Sequence, residues 1–395
     1  MIQMAETLHT LPEDAASLLN LTSRNDNCTD ETCLSATSSY NQSYTTMIKL
    51  EKYCLPVICI VGLIGNSLST ITFLRKPLRN APCSLYLAAR GISDNGFLLS
   101  LFLIWTSSTF NLRLSQIKGV CQLIILMTYV CGCVSVWLCV FITTENFLLI
   151  HNPYIARRVC CNQISSVCII ILLLLAFGVY NISLWIINED CSHNPSFSSL
   201  TQILVYSDTL LTLVVPTVII FVLLSMIAYK MIKIIHVRKL HDSAMEQLTL
   251  NKQRPKKILP IAKVTKMLFV VSCMFFVLNV PSHVIRLMLL IGSFTKGERT
   301  APAVQATIQV PFQLIYYISF SVNVCIYALF GSNFRKILKK TFCNWKNVTS
   351  ERYTQTEAIN LVRRRSHSIN VCVAERNSGA FLTVSKTETL VHSCT

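Results

Sequence analysis

The chain has 395 residues, of which 52% are aliphatic, aromatic, Met or Cys and only 14% are charged, against about 25% charged in ordinary globular proteins. That balance and a mean hydropathy of +0.51 leave too little polar surface for a soluble protein, and exclude a cytosolic enzyme, a collagen or a disordered tail as the whole molecule. A formal charge of +16 would suggest nucleic acid in a soluble chain. Here the basic residues sit between long apolar runs, so membrane topology explains them better and nucleic acid has no part.

Residues 1–46 form an acidic tail with Glu6, Glu13, Asp14, Asp26, Asp30 and Glu31 against the single Arg24, and acceptor sequons at Asn20, Asn27 and Asn41. Three acceptor sequons in one acidic tail favour an extracellular side. No charged region followed by an apolar one precedes them, so the first membrane helix is expected to direct targeting.

A membrane-crossing helix needs about 20 mostly apolar residues. Seven runs qualify: Met47–Leu74, Ser84–Thr109, Val120–Ile150, Ile164–Ile187, Leu200–Ile235, Ile258–Ile291 and Val304–Phe330, numbered here as spans 1 to 7. Arg75, Lys76 and Arg79 follow span 1, and Arg157 and Arg158 follow span 3. Ten basic residues against two acidic ones lie between Lys230 and Lys266. Basic loops stay in the cytoplasm, so the N-terminus is expected outside and the C-terminus inside the plasma membrane. The stretch from Met231 to Pro260 reads as a hydrophilic cytoplasmic loop attracted to anionic lipid.

After span 7, Phe334, Ile337, Leu338 and Phe342 fall on one helical face and Arg335, Lys336, Lys339 and Lys340 mostly on the other. That pattern predicts a short amphipathic helix at the bilayer surface. Cys343 beside it is a candidate palmitoylation site. The expected architecture is all-α: a seven-transmembrane helix bundle over residues 47–343 with a short cytoplasmic amphipathic helix 8, then a disordered cytoplasmic tail, 344–395. The cysteines inside apolar runs (Cys131, Cys133, Cys139, Cys168, Cys273) read as small buried apolar side chains.

The polar residues within the spans narrow the choice. Gly65-Asn66 lies in span 1, Asp94 in span 2, Ser135 in span 3, Phe275 and Pro281 in span 6, and Asn323-Val324-Cys325-Ile326-Tyr327 in span 7. A lone carboxylate at mid-membrane is costly and marks a functional site. A proline within a helix removes a backbone bond and kinks it. From about Met47 to Cys343 these residues resemble the rhodopsin-like G-protein-coupled receptors. The resemblance implies several roles. Asp94, Ser135 and Asn323 match the family's sodium pocket, whose oxygen donors suit a hard cation; a protonated Asp94 in an ion-free hydrogen-bond network is the other reading. No further cofactor is expected. Arg90, one turn before Asp94, either pairs with it or, as we favour, reaches toward the cytoplasmic interface. Cys121 and Cys191 match the family's outer disulfide. Cys28, Cys33 and Cys54 leave room for a further bridge whose partners are open. Pro281, with Phe275 and Asn279 nearby, matches the hinge for outward motion of span 6, and Asn66 and Tyr327 match residues of the activation network.

There are departures. Where the family reads Asp-Arg-Tyr at the base of span 3, this chain has Glu145-Asn146-Phe147. Asn146 carries no positive charge, which weakens the expected resting lock and puts coupling in doubt. Span 6 reads Leu278-Asn279-Val280-Pro281, and Val324 replaces the span 7 proline. The Leu-Asn-Val-Pro-Ser run resembles invertebrate neuropeptide receptors of the FMRFamide-receptor-like and thyrotropin-releasing-hormone-receptor-like groups.

For the ligand, the resemblance works by exclusion. Thr128 stands where amine receptors carry an Asp, and span 7 has no Lys for a retinal Schiff base, with Tyr317 at that place. A peptide fits what remains. Its expected contacts are Thr128, Tyr129, Asp208, His283, Arg286, Gln309, Gln313 and Tyr317, with Gln122 near them. Asp208 suits a basic group and Arg286 an acidic group or amide carbonyl. The expected partners inside are a heterotrimeric G protein and an arrestin-like protein at the Ser/Thr-bearing tail. A divergent chemosensory receptor or a decoy that no longer couples is the alternative. A transporter would need repeated halves or several buried charges, and no enzyme motif is present.

Overall fold

A computed structural model describes residues 31–81, 83–110, 112, 117, 119–188, 195–246, 259–295 and 302–342. Every regular element among them is helical. Lipid offers backbone N–H and C=O groups no partners, so a spanning segment must satisfy them within its own helix. Residues 1–338 form one compact unit and 339–395 a second, of which only 339–342 are described.

Among the described residues six helices are long and apolar enough to cross a membrane, and a bent pair makes the seventh. Span 1 is the apolar part, Thr45–Leu74, of a helix that begins at Glu31. The helix therefore runs well back into the region expected as tail, because residues 31–46 contain neither Gly nor Pro to stop it. Span 2 is Ser84–Thr109 and span 3 Val120–His151. Span 4 is Asn162–Tyr180, extended by the turn of helix Ser183–Ile186. Span 5 comprises Ser198–Asp208, a π-helical stretch Thr209–Val214, and Val215–Glu246. Span 6 is Leu259–Thr295 with Pro281 inside it. The helical ends of spans 5 and 6 take up most of the loop expected between Met231 and Pro260, leaving 247–258 between them.

Span 7 consists of Pro302–Ser321 and Asn323–Phe330, bent by 51°. The break at Val322 occurs although Val324 stands where the family has proline. Val322 N–H still reaches Ile318 O at 3.0 Å, and Cys325 N–H tightens onto Val322 O at 3.0 Å. The helix is thus re-started at Asn323 rather than broken for want of a donor. The final helix, Ser332–Phe342, buries Phe334 and half-buries Ile337 and Leu338. Arg335 donates to Ala328 O at 2.9 Å and Leu329 O at 2.6 Å, capping the last carbonyls of span 7.

Span 3 is the axis of the bundle: 78% of its apolar window is buried, against 22% for span 4. It packs on spans 2, 4, 5 and 6, while span 1 packs on spans 2 and 7. Ile170, Leu174 and Leu175 of span 4 and Phe221 and Val222 of span 5 point outward, as lipid-facing residues do. Lipid gives apolar faces no reason to associate, so close contact and hydrogen bonds hold helices together. Gly62 shows the first device: a Cβ there would run into Leu98 Cδ1 and lie 2.8 Å from Ser321 Cβ. Only glycine lets spans 1, 2 and 7 meet at that point.

Candidate functional site

Three groups of polar residues lie along the axis. The middle one surrounds Asp94, which is fully buried. Ser135 Oγ donates to its Oδ1, and Asn323 Nδ2 donates to Oδ2 at 2.7 Å. Span 7 can deliver Asn323 there because the helix restarts at that residue. The expectation for Arg90 is overturned. Arg90 is only 2% exposed, its Nε is 3.7 Å from Asp94 Oδ2, and its guanidinium lies 5.2 Å from the centre of the Phe275 ring. The physical reason is depth. One turn from a mid-membrane acid, within a closed bundle, a buried partner and an aromatic face offer more than a long reach to the interface.

Asn66 Nδ2 donates to Phe320 O at 2.8 Å, joining span 1 to span 7. Asn279 Nδ2 donates to Phe275 O at 2.6 Å, and Ser319 Oγ donates to Asn279 Oδ1 at 3.2 Å. The side chain of Asn279 thus links span 6 to span 7 two residues before Pro281.

A sodium ion fits this cluster poorly. Both carboxylate oxygens already accept hydrogen bonds, and one positive charge is already present. Two unit cations about 5 Å apart repel by ~3 kcal/mol at an effective dielectric constant of about 20.

The second group lies at the base of span 3. Glu145 is buried and faces the thiols of Cys83 and Cys160 and the Ser165 hydroxyl. Burial and then the Glu145 charge push the Cys160 thiol up to about 12, and raise Cys83 well above its ordinary value. Asn146 is fully buried with neither side-chain polar atom hydrogen-bonded. Span 6 is instead tied to span 3 by hydroxyls, with Thr143 Oγ1 and Ser272 Oγ 2.8 Å apart. Tyr327, Phe73 and Phe334 form an aromatic knot here, with ring centres 5.0–5.6 Å apart.

The third group lies toward the Cys121 end. Cys121 is disulfide-bonded; its expected partner Cys191 lies outside the described residues, as do Asn20, Asn27 and Cys343. Asn41 falls within the first helix. Cys54 is unbridged, which removes it from the further bridge considered above.

Gln309 Nε2 approaches Gln313 Oε1 at 3.5 Å, and Gln313 donates to the Tyr317 hydroxyl, a ladder at helical spacing on span 7. His283 is buried beside Tyr316, ring centres 5.9 Å apart, and neither ring nitrogen has a hydrogen-bond partner. Arg286 lies over the Tyr316 ring, its guanidinium 5.2 Å from the ring centre. It is also within electrostatic reach of Asp208 on span 5 and Tyr317 on span 7.

Other expected contacts are already occupied. The Asp208 carboxylate accepts from Tyr180 at 2.9 Å, and Tyr180 stacks on Tyr129 at 5.3 Å. Thr128 turns its hydroxyl to Ile124 O of its own helix at 2.8 Å. Gln122 donates to Ile187 O at 2.6 Å, so it ties span 3 to the end of span 4. Tyr316, Tyr180, Thr143 and Ser272 escaped the sequence reading. Two consecutive tyrosines on span 7 were the only hint of Tyr316, and the hydroxyl pair had none.

Residues 65–327 match the family model described as 7 transmembrane receptor (rhodopsin family). Among curated proteins, galanin receptor 2a from Danio rerio is 23% identical over 308 residues, covering 74% of this chain and 77% of that one.

Proposed function

The chain belongs to the rhodopsin family of seven-transmembrane receptors, a multi-pass membrane receptor and not an enzyme, and from that premise we propose that it is the receptor for an extracellular peptide. The observation that carries this is His283. A buried imidazole with two unpartnered nitrogens is costly, and a bound ligand would supply what it lacks. Around it stand groups suited to a peptide: Arg286 and Tyr316 for a carboxylate or carbonyl, and the Gln309–Gln313–Tyr317 ladder for an amide with both donors and acceptors. The similarity to a galanin receptor, whose name denotes a peptide ligand, supports the same class.

The ligand side is then the Cys121 end, outside the cell, with the basic loops and amphipathic helix in the cytoplasm. Ligand binding would favour the arrangement in which span 6 swings outward at Pro281, and the opened base would admit a heterotrimeric G protein. The Ser/Thr-bearing tail would recruit an arrestin-like protein once phosphorylated.

The test is a library of amidated neuropeptides applied to cells expressing the full chain, with His283→Ala and Arg286→Ala compared at equal surface expression. Potency losses of tenfold or more at both positions support the assignment. An agonist indifferent to both overturns it. One observation favours a second reading, a receptor that binds peptide without coupling: Asn146, buried and uncharged, stands where the family keeps its arginine. A signal seen only with Asn146→Arg would establish that reading.

A further inference from the structure

We propose that Arg90 is the resident counter-cation of Asp94, a guanidinium carried by span 2 that does the electrostatic work of a bound sodium ion, so that the receptor is indifferent to sodium. Four observations meet here. Arg90 and Asp94 are both essentially without solvent contact and lie at ion-pair distance. They sit one turn apart on the same helix, so span 2 itself brings the two within reach and the pair needs no ion from solution. The Phe275 ring faces the guanidinium, giving the buried cation a second favourable contact. Finally, Ser135 and Asn323, the other two residues that would ligate sodium, both donate hydrogen bonds to Asp94. The charges of the cluster therefore balance, with Arg90 Nε and Nη1 left without a hydrogen-bond partner among the described residues, and a further cation would leave it with an uncompensated buried charge.

Arg90 and Asp94 lie in the receptor core, apart from the residues proposed for the ligand. The purified full-length receptor is unfolded by heat in sodium chloride and in choline chloride at equal ionic strength, alongside Arg90→Leu. The native chain is expected to unfold at the same temperature in both salts. Arg90→Leu is expected to unfold earlier in choline and to recover with sodium along a saturating curve, since Asp94 has lost its partner and a site has opened. A saturable, sodium-specific rise for the native chain overturns the proposal. So does a folded Arg90→Leu that ignores sodium. If Arg90→Leu does not fold, Arg90→Leu with Asp94→Asn decides: recovery of folded receptor shows that the two charges were each other's partner, and no recovery overturns the claim.

Discussion

Asp94 and Glu145 are both buried acids on the bundle axis, and they are compensated in opposite ways. Asp94 has a cation beside it and two hydrogen-bond donors. Among the described residues Glu145 has neutral company, two thiols, a hydroxyl and the Cys83 backbone N–H, next to an asparagine whose polar atoms find no partner. The arginine missing from the base of span 3 thus has a counterpart deeper in the bundle, on span 2. The difference teaches that a buried charge is stabilised by whichever cation reaches it in space, whatever its place in a sequence motif. It also predicts that the middle of the bundle is tightly held while its Glu145 end is loosely held.

The largest effect should come from Asp94→Ala. It leaves Arg90 buried and unpaired, and should cost about 3–5 kcal/mol in thermal unfolding. Glu145→Ala strands no cation and should cost far less; equal losses would break the comparison. Next come two asparagines. Asn323→Leu loses a hydrogen bond to a carboxylate, worth about 1.5–3 kcal/mol. Asn146→Leu removes two polar atoms that have no partner, so it should be neutral or stabilising by about 1 kcal/mol. The opposite signs can be read from the same unfolding assay.

Thr143→Val keeps the shape but deletes the hydroxyl link to Ser272. It should cost about 0.5–1.5 kcal/mol and, in a coupling-competent receptor, raise agonist-free signalling by up to about tenfold. The smallest effect concerns Cys160. With its thiol at about 12, maleimide labelling at pH 8 should be slow, because the thiolate is the reactive form. Glu145→Gln removes a negative charge that opposes ionisation, so the value should fall while burial keeps it above that of a free cysteine. Labelling resolved by peptide mass spectrometry should rise severalfold. An unchanged rate would mean that Glu145 carries no charge there.

Much of the molecule was legible beforehand because the bilayer imposes few choices. Seven apolar runs of sufficient length had to be helices, and the ends of span 2 coincide with those of its apolar run. The convergence of Asp94, Ser135 and Asn323 was legible through the resemblance to a known family. The direction of Arg90 was not. A long cationic side chain one turn from an acid can pair with it or reach for the interface, and only depth within the bundle separates the two. The bend in span 7 was obscured by the absence of its proline, and the state of His283 could not be known without seeing which donors and acceptors surround it.

The linear order of residues by itself determined that this chain crosses a membrane about seven times, where its spans lie, and which few polar residues each span must bury. Those follow from hydropathy and helix period, which are local. Tertiary structure alone decided which buried groups meet: Arg90 with Asp94 and Phe275, Thr143 with Ser272, Tyr180 with Asp208, and His283 with no hydrogen-bonding partner among the described residues. Partner choice depends on the rotation and depth of each helix against its neighbours, and those are set by close contacts such as the one at Gly62, which span distant parts of the sequence.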